Sequence, residues 1–325
     1  MKRVLILGGT GFVGRHLCEK LTREGWRVTV PTRRAANASH IQMLPGLQVA
    51  VGDVHDPATL TRMVVGHDAV VNLIAVLHGT EASFGRTHVE LVQSLARACA
   101  ASGVNRLVHI SALGVDDRQS DAAPSMYLRS KARGEAALKA AAQASGLALT
   151  VLRPSVIFGD GDKFLTLFAR LQGLLPVLPL ACAQARFQPV WVEDVAQAVL
   201  RCLQTPATIG QTYNLVGPEI LTLQQLVQLA ARAGGVNHGR GRPVLPLPAG
   251  LGRLQAWLME WLPGAPLMSR DNLDSMKIDN IAHDGLPGLQ ALGLTPTSVG
   301  TVAPTYLGHI DHHGTLQRLR QSAGR

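Results

Sequence analysis

Val4-Leu5-Ile6-Leu7-Gly8-Gly9-Thr10-Gly11-Phe12-Val13-Gly14 is the stretch on which the reading of the fold turns. An apolar run of strand length enters four glycines, and the spacing after them predicts a helix from Arg15 to Glu24. That order is strand, tight turn, helix. Gly8 and Gly9 are suited to backbone angles denied to other residues. Gly11 offers no side chain, so a pyrophosphate can approach the main chain, and Gly14 lets the helix pack tightly on the strand. The free amides and the dipole at the helix start attract phosphate. In this context the glycines, with Thr10, Phe12 and Val13 between them, predict dinucleotide binding.

Outward from that turn, apolar runs alternate with helix-like segments. The runs are Val4 to Leu7, Arg27 to Val30, Leu47 to Val51, Ala69 to Leu73, Leu107 to Ile110 and Ala148 to Leu152. Helical patterns lie at Arg15 to Glu24, Pro57 to Val65 and His88 to Ala101. This alternation predicts an α/β fold, a doubly wound parallel sheet with helices on both faces. Its ligand belongs at the carboxyl ends of the strands, where strand order reverses.

The second strand runs out through Pro31-Thr32-Arg33-Arg34. A site for NAD(H) would place an acid here, roughly 20 residues after the glycines, against the ribose hydroxyls. Arg33 and Arg34 instead suit the 2′-phosphate of NADP(H), through charge-assisted hydrogen bonds, unless they form a solvated basic turn. The third strand ends Val51-Gly52-Asp53-Val54. Asp53 is placed to accept from an adenine amino group, or else it or Asp56 caps the helix near Pro57. Asn72-Leu73-Ile74-Ala75 would pass under the nicotinamide ribose.

The chemistry lies farther on. Ser111 ends the fifth strand, and Tyr127-Leu128-Arg129-Ser130-Lys131 falls in a helix-like stretch running to Ala142. Tyr127 and Lys131 are four apart and share a helix face. The ammonium of Lys131 would lower the phenol pKa of Tyr127, which then gives or takes a proton beside a carbonyl carbon. Ser111 would polarise the carbonyl oxygen. Beyond the sixth strand, Pro154 and Ser155 would lie near the nicotinamide.

These residues resemble the short-chain dehydrogenase/reductase superfamily in its extended or atypical branch. The segments that carry the resemblance are the glycine loop, Asp53, Ser111, Tyr127 to Lys131 and Arg153-Pro154-Ser155-Val156-Ile157-Phe158-Gly159. Tyr-Leu-Arg-Ser-Lys-Ala-Arg-Gly-Glu and Leu-Arg-Pro-Ser-Val-Ile-Phe-Gly look more like one family within it. That family holds the nucleotide-binding accessory subunit of respiratory complex I and its free-standing bacterial relatives. The likeness continues through Gln188 to Val195 and Tyr213 to Pro218, as far as about Gly308. It implies NADP(H) in a Rossmann domain and a small, discontinuous carboxy-terminal domain over the cofactor. Mitochondrial members often lack the tyrosine that this chain keeps. Catalytic relatives often carry Asn where this chain has His88, which disturbs the usual water-mediated proton relay.

The resulting division gives residues 1–160 to the nucleotide domain, completed by about 187–217. Residues 161–186 and 218–308 form the smaller α/β domain, and 309–325 a polar tail. In the second half, helix patterns cover Phe164 to Leu175, Ala196 to Leu203 and a capped run from Thr222 to Ala233. Leu251 to Leu262 carries Leu254, Trp257, Leu258 and Trp261 on one stripe, which predicts a core-facing helix, with a membrane-interface helix as the alternative. Asp160 and Asp162 lack a full calcium-loop pattern, so no metal site is expected.

Composition agrees with a folded chain of 325 residues that is 46% hydrophobic and 16% charged. The net charge of +9 is dispersed, which argues against nucleic acid and suits an anionic cofactor or weak contact with an anionic membrane surface. Cys18, Cys99, Cys182 and Cys202 form no CxxC pair, consistent with reduced thiols in a cytoplasmic protein, or one held peripherally on the inner face of a membrane. The sequence thus predicts NADPH-dependent carbonyl–alcohol chemistry on an apolar quinone-, isoprenoid- or lipid-like substrate. The alternatives are a non-catalytic NADPH-binding subunit of a respiratory or quinone-related complex, and, last, a sugar-nucleotide epimerase or dehydratase.

Overall fold

In the computed structural model, which describes residues 2–261, 268–283 and 285–308, the chain divides into two compact units. The first comprises the described residues of Met1–Pro154, Val192–Leu215 and Ala282–Thr295. The second comprises those of Ser155–Trp191, Val216–Ile281 and Pro296–Arg325.

The first unit runs β1 (Arg3–Leu7), α1 (Phe12–Arg23), β2 (Arg27–Thr32), β3 (Leu47–Val51), α2 (Pro57–Val64) and β4 (Ala69–Asn72). It continues through α3 (Glu81–Phe84), α4 (Leu91–Ser102), β5 (Arg106–Ile110), α5 (Met126–Ser145) and β6 (Ala148–Pro154). The strand Thr212–Leu215 completes a seven-stranded sheet, ordered Thr212–Leu215, β6, β5, β4, β1, β2, β3. Every pairing in it is parallel. Parallel strands are covered on both faces, so they read as unbroken apolar runs rather than alternating ones. All four residues of β4 are accordingly buried. Helix α1 buries Gly14, Leu17, Cys18 and Leu21, one stripe at helical spacing, and α2 is capped by Asp56, whose side chain accepts from the Thr59 amide. The chain builds outward from β1 in one direction and from β4 in the other. The reversal lies between these two strands, and sheets of this kind bind ligands outside the carboxyl ends at the reversal.

Two differences from the sequence reading concern this unit. The described residues of 282–295 belong to it rather than to the smaller unit. The amide of Asn214 donates to Pro287 O at 2.9 Å, and the short helix Leu289–Leu292, with Leu289 fully buried, packs on the helix Val192–Gln204. The helix predicted from His88 instead begins in a π-helical turn, Gly85–Glu90, between α3 and α4.

The second unit gathers Phe158, Phe168, Leu178, Leu226 and Leu307 into its own core. The helices Leu165–Leu174 and Leu223–Ala233 pack together in it, the latter opened by a capping box between Thr222 and Gln225. Asp162 is a structural residue here: it accepts from the amides of Gly159, Phe164 and Thr166 and from the Tyr306 hydroxyl. The expectation for the tryptophan stripe is overturned. The helix Ala249–Glu260 buries Gly252 and Ala256, while Leu251, Leu254, Trp257 and Leu258, with Trp261 after it, face outward. A Cβ on Gly252 would come within 2.7 Å of Ala181 Cβ, so close packing selects the small-residue face and leaves the large side chains outside. Leu262 and the tail 309–325 lie outside the described residues. Among the described residues no helix is long and apolar enough to cross a membrane.

Candidate active site

The glycine loop joins β1 to α1 as the spacing demands. Gly8 sits at φ +82°, and a Cβ there would stand 3.2 Å from Leu73 C and 3.3 Å from the Ile74 amide nitrogen. Ile74 thus runs beside the turn, and Ala75 after it is exposed. Gly9 has no positive φ, contrary to expectation; it is needed because a Cβ would strike both methyls of Val30, at 2.7 and 2.8 Å. A Cβ on Gly14 would fall within 2.6 Å of the Gly9 main chain, so this glycine closes the helix onto the loop itself. Gly11 is the N-cap of α1, with no side-chain cap and no acid in the first turn. The first amides, beginning at Phe12 and Val13, are left for an anion. Such a cradle, too tight for side chains and open in hydrogen bonding, fits a dinucleotide pyrophosphate.

At the end of β2, Thr32 is buried and its hydroxyl donates to Arg34 O at 3.0 Å, shaping the turn that exposes Arg33 and Arg34. Neither guanidinium has an ion-pair partner among the described residues. Asp53 is exposed, and its Oδ1 accepts from the His55 amide at 3.0 Å, while Val54 packs partly against the core. The capping role belongs to Asp56. His55 is held below the usual imidazole range by burial, opposed by Asp53 and reinforced by Arg86 and Arg33. Arg86 was not marked by the sequence; it enters this basic corner from the π-helical turn.

Asn72 is buried at the end of β4. Its amide nitrogen donates to His109 Nδ1 at 3.2 Å and its oxygen accepts from the Ile74 amide at 3.2 Å, which fixes the strand end. Pro154 O accepts from Leu113 N–H at 2.9 Å. Ser155 donates its hydroxyl to Asn280 Oδ1 at 2.5 Å, an anchor within the second unit.

Ser111 follows directly on β5, and Tyr127 and Lys131 lie in α5. Ser111 Oγ is buried and has no hydrogen-bond partner among the described residues. A buried hydroxyl left unpaired costs about 1–3 kcal/mol, which a substrate oxygen would relieve. Lys131 is 2% exposed, and its ammonium donates to Ile110 O at 2.8 Å, at the residue before Ser111. Burial lowers its pKa to about 8, opposed by Glu135. Tyr127 is half-buried and packs against Ala112, Val115, Leu128 and Ala132. Its phenol is not acidified, as the sequence reading supposed; burial pushes it up to about 12. Desolvation disfavours the charged phenolate.

The sequence reading assigned no contacts to two groups. His88 is buried between Phe84 and Tyr127, with ring centroids 5.6 and 5.7 Å away. Arg153 forms a two-pronged contact with fully buried Glu135 at 2.6 and 3.1 Å and reaches Asp117 at 2.6 Å; Lys139 joins both carboxylates at 2.8 and 3.1 Å. Asp117 lies in the segment between Ser111 and Tyr127, so the network straps that segment to α5. Arg129 adds bonds to the carbonyls of Ala123 and Pro124.

Residues 4–216 match the NAD dependent epimerase/dehydratase family. NADH dehydrogenase [ubiquinone] 1 alpha subcomplex subunit 9 of Mus musculus is 30% identical over 306 residues, covering 90% of this chain and 76% of that protein. The 2-alkyl-3-oxoalkanoate reductase of Stenotrophomonas maltophilia is 30% identical over 265 residues, covering 71% and 76%. The UDP-glucose 4-epimerase of Thermus thermophilus, solved with NAD, superposes with a TM-score of 0.69 at 22% identity over 95% of this chain and 99% of that one, a likeness of fold. With its glycine cradle, its parallel sheet and its Ser–Tyr–Lys constellation, the chain belongs to the NAD dependent epimerase/dehydratase family, in the branch that includes the mitochondrial subunit.

Proposed function

We propose that this chain is an NADP(H)-dependent oxidoreductase that interconverts a carbonyl and an alcohol on an apolar, quinone-, isoprenoid- or lipid-like substrate. The carrying observation is the buried, unpaired hydroxyl of Ser111, next to the carbonyl that anchors Lys131. Bound NADPH supplies a hydride. Ser111 donates to the carbonyl oxygen, and Tyr127 protonates that oxygen as it becomes an alkoxide. A phenol with pKa pushed up to about 12 stays protonated at neutral pH, which suits the reductive direction. Lys131, one turn along α5, stabilises the phenolate left behind. Gly8 to Gly14 hold the pyrophosphate, Arg33 and Arg34 the 2′-phosphate, and Asp53 with Val54 the adenine. Asn72, Ile74 and Ala75 line the nicotinamide ribose, and Pro154 completes that end. The relative named 2-alkyl-3-oxoalkanoate reductase supports a ketone on an apolar chain. The test is NADPH oxidation by the purified protein against short-chain ubiquinone, 2-decanone and an isoprenoid aldehyde.

A second reading has its own support. The match to the mouse subunit over 90% of this chain, and the uncovered apolar face of the helix Ala249–Glu260, suit a nucleotide-binding accessory subunit of a respiratory or quinone-related complex. The same face suits weak peripheral contact with a membrane. Strong stabilisation by NADPH with no carbonyl or quinone reduced would select this reading.

A further inference from the structure

We propose that His88 is a positioning residue that joins the segment after β4 to the first turns of α5 and so fixes the phenol of Tyr127. The link to catalysis rests on the carbonyl-reduction reading above; the contact itself does not.

The hydrogen bonds around His88 allow one direction only. The Val76 amide can only donate, so His88 Nε2, 3.1 Å away, must accept. A neutral ring then carries its proton on Nδ1, which donates to Ser130 Oγ at 2.8 Å. The Ser130 hydroxyl, having accepted, donates to Tyr127 O at 2.7 Å. His88 and Ser130 each accept once and donate once, and the chain runs Val76, His88, Ser130, Tyr127. Val76 follows the Asn72-to-Ala75 segment assigned to the nicotinamide ribose, so the chain ties that segment to the main chain of the helical turn that carries Tyr127. The ring also lies face-on to Phe84 and edge-on to Tyr127, whose rings are themselves 6.2 Å apart.

Local structure is arranged around this contact. The π-helical turn Gly85–Glu90 admits an extra residue, which rotates the side chains after it by about 100° relative to an uninterrupted helix. Gly134 lets α5 approach directly, because a Cβ there would run into the His88 carbonyl. The titratable groups facing the ring are Lys131 and Tyr127 from α5 and His109 from β5, while Arg86 and Glu90 of its own turn are exposed. Burial and the Lys131 charge hold the ring neutral, with a pKa down to about 3. A proton added at Nε2 would break the Val76 bond.

The test uses the full chain labelled with ¹⁵N in its histidine rings and ¹³C in its tyrosine rings. His88 and Tyr127 are assigned by loss of signal in His88→Phe and Tyr127→Phe. The expected result is a His88 ring protonated on Nδ1 and unchanged from pH 8 to pH 5. Ser130→Ala, which removes one hydroxyl, should shift both the His88 and Tyr127 signals. Ser130→Thr, which keeps the hydroxyl, should restore both. If a carbonyl probe is reduced, Ser130→Ala should lower kcat at least tenfold and leave the KM for NADPH within twofold. A ring protonated on Nε2, a ring titrating near pH 6.5, or a Tyr127 signal indifferent to Ser130→Ala would overturn the proposal. Loss of the carbonyl-reduction reading would show separately, as intact NMR signatures in a protein that reduces nothing.

Discussion

Lys131 Nζ donates to Ile110 O at 2.8 Å, so the cation on this face of α5 that burial has stripped of water is anchored at the residue before the unpaired Ser111. The two groups that must cooperate are pushed apart by the same burial, Tyr127 up to about 12 and Lys131 down to about 8. An acid that keeps its proton, beside a cation that can lose its own, defines a pH window. Below about pH 8 Lys131 is charged and able to stabilise a phenolate; above it, the charge goes. NADPH oxidation with a carbonyl probe should therefore fall on the alkaline side, by about tenfold for each pH unit well above the pKa. A kcat/KM profile level to pH 10 would contradict this assignment.

Acid should loosen the first unit. Burial, with Lys131, lowers His88 to about 3, and His109 lies well below its ordinary value for the same two reasons, with His88 lowering it further. The folded pKa values lie under the unfolded value near 6.5. The unfolded chain takes up these protons first, so the stabilisation is complete above about pH 6.5 and is lost as pH falls toward about 3. Each histidine costs at most about 1.4 kcal/mol per pH unit across that window. Thermal melts from pH 7.5 to 5 should show Tm falling, with a shallower slope in His88→Phe. An identical slope in that variant would remove His88 from the account.

Arg33 and Arg34 should decide between the two nucleotides. Their guanidiniums are exposed and have no ion-pair partner among the described residues, so a 2′-phosphate meets them ready to bind. Replacing both with Ala should weaken NADPH by roughly 1–3 kcal/mol and leave NADH almost unchanged. Titration calorimetry measures both. Equal losses for the two nucleotides would assign the arginines to the turn alone.

The helix Ala249–Glu260 should bind lipid weakly. Trp257 and Trp261, with ring centroids 5.7 Å apart, are 40% and 76% exposed, a poor arrangement in water and a favourable one at a membrane interface. The wild type should float with phosphatidylglycerol vesicles in flotation gradients at low salt, and a Trp257→Ser/Trp261→Ser double variant should stay at the bottom. If the wild type does not float, the face belongs to a protein partner instead.

Much of this was legible in sequence, for local reasons. Strand, glycine turn and helix are contiguous, and Gly8, Gly11 and Gly14 are there because nearby backbone forbids or does not want a side chain. Tyr127 and Lys131 declare themselves through helical spacing. What escaped depends on distant contacts. Asn280 is 125 residues from the Ser155 it holds, and the described residues of 282–295 return to the first unit with a bond from Asn214 to Pro287 and the burial of Leu289. The partners of His88 gave no signal, because a π-helical turn leaves no period to read. The tryptophan stripe was correctly seen as one face, but periodicity cannot say which face is covered. Gly252 and Ala256 won because small residues let the helix approach Ala181. The Tyr127 pKa was misjudged because spacing shows the neighbouring charge and not the burial.

Tyr127 should be a working acid and not a relic in a nucleotide site. The most direct measurement is single-turnover NADPH oxidation by wild type and Tyr127→Phe, with whichever carbonyl of the panel the wild type reduces, beside NADPH affinity in the same preparations. Tyr127→Phe should lower the rate by roughly 10²–10⁴-fold and change NADPH affinity less than twofold. Equal rates in the two proteins, or a wild type that binds NADPH and reduces no member of the panel, would contradict it.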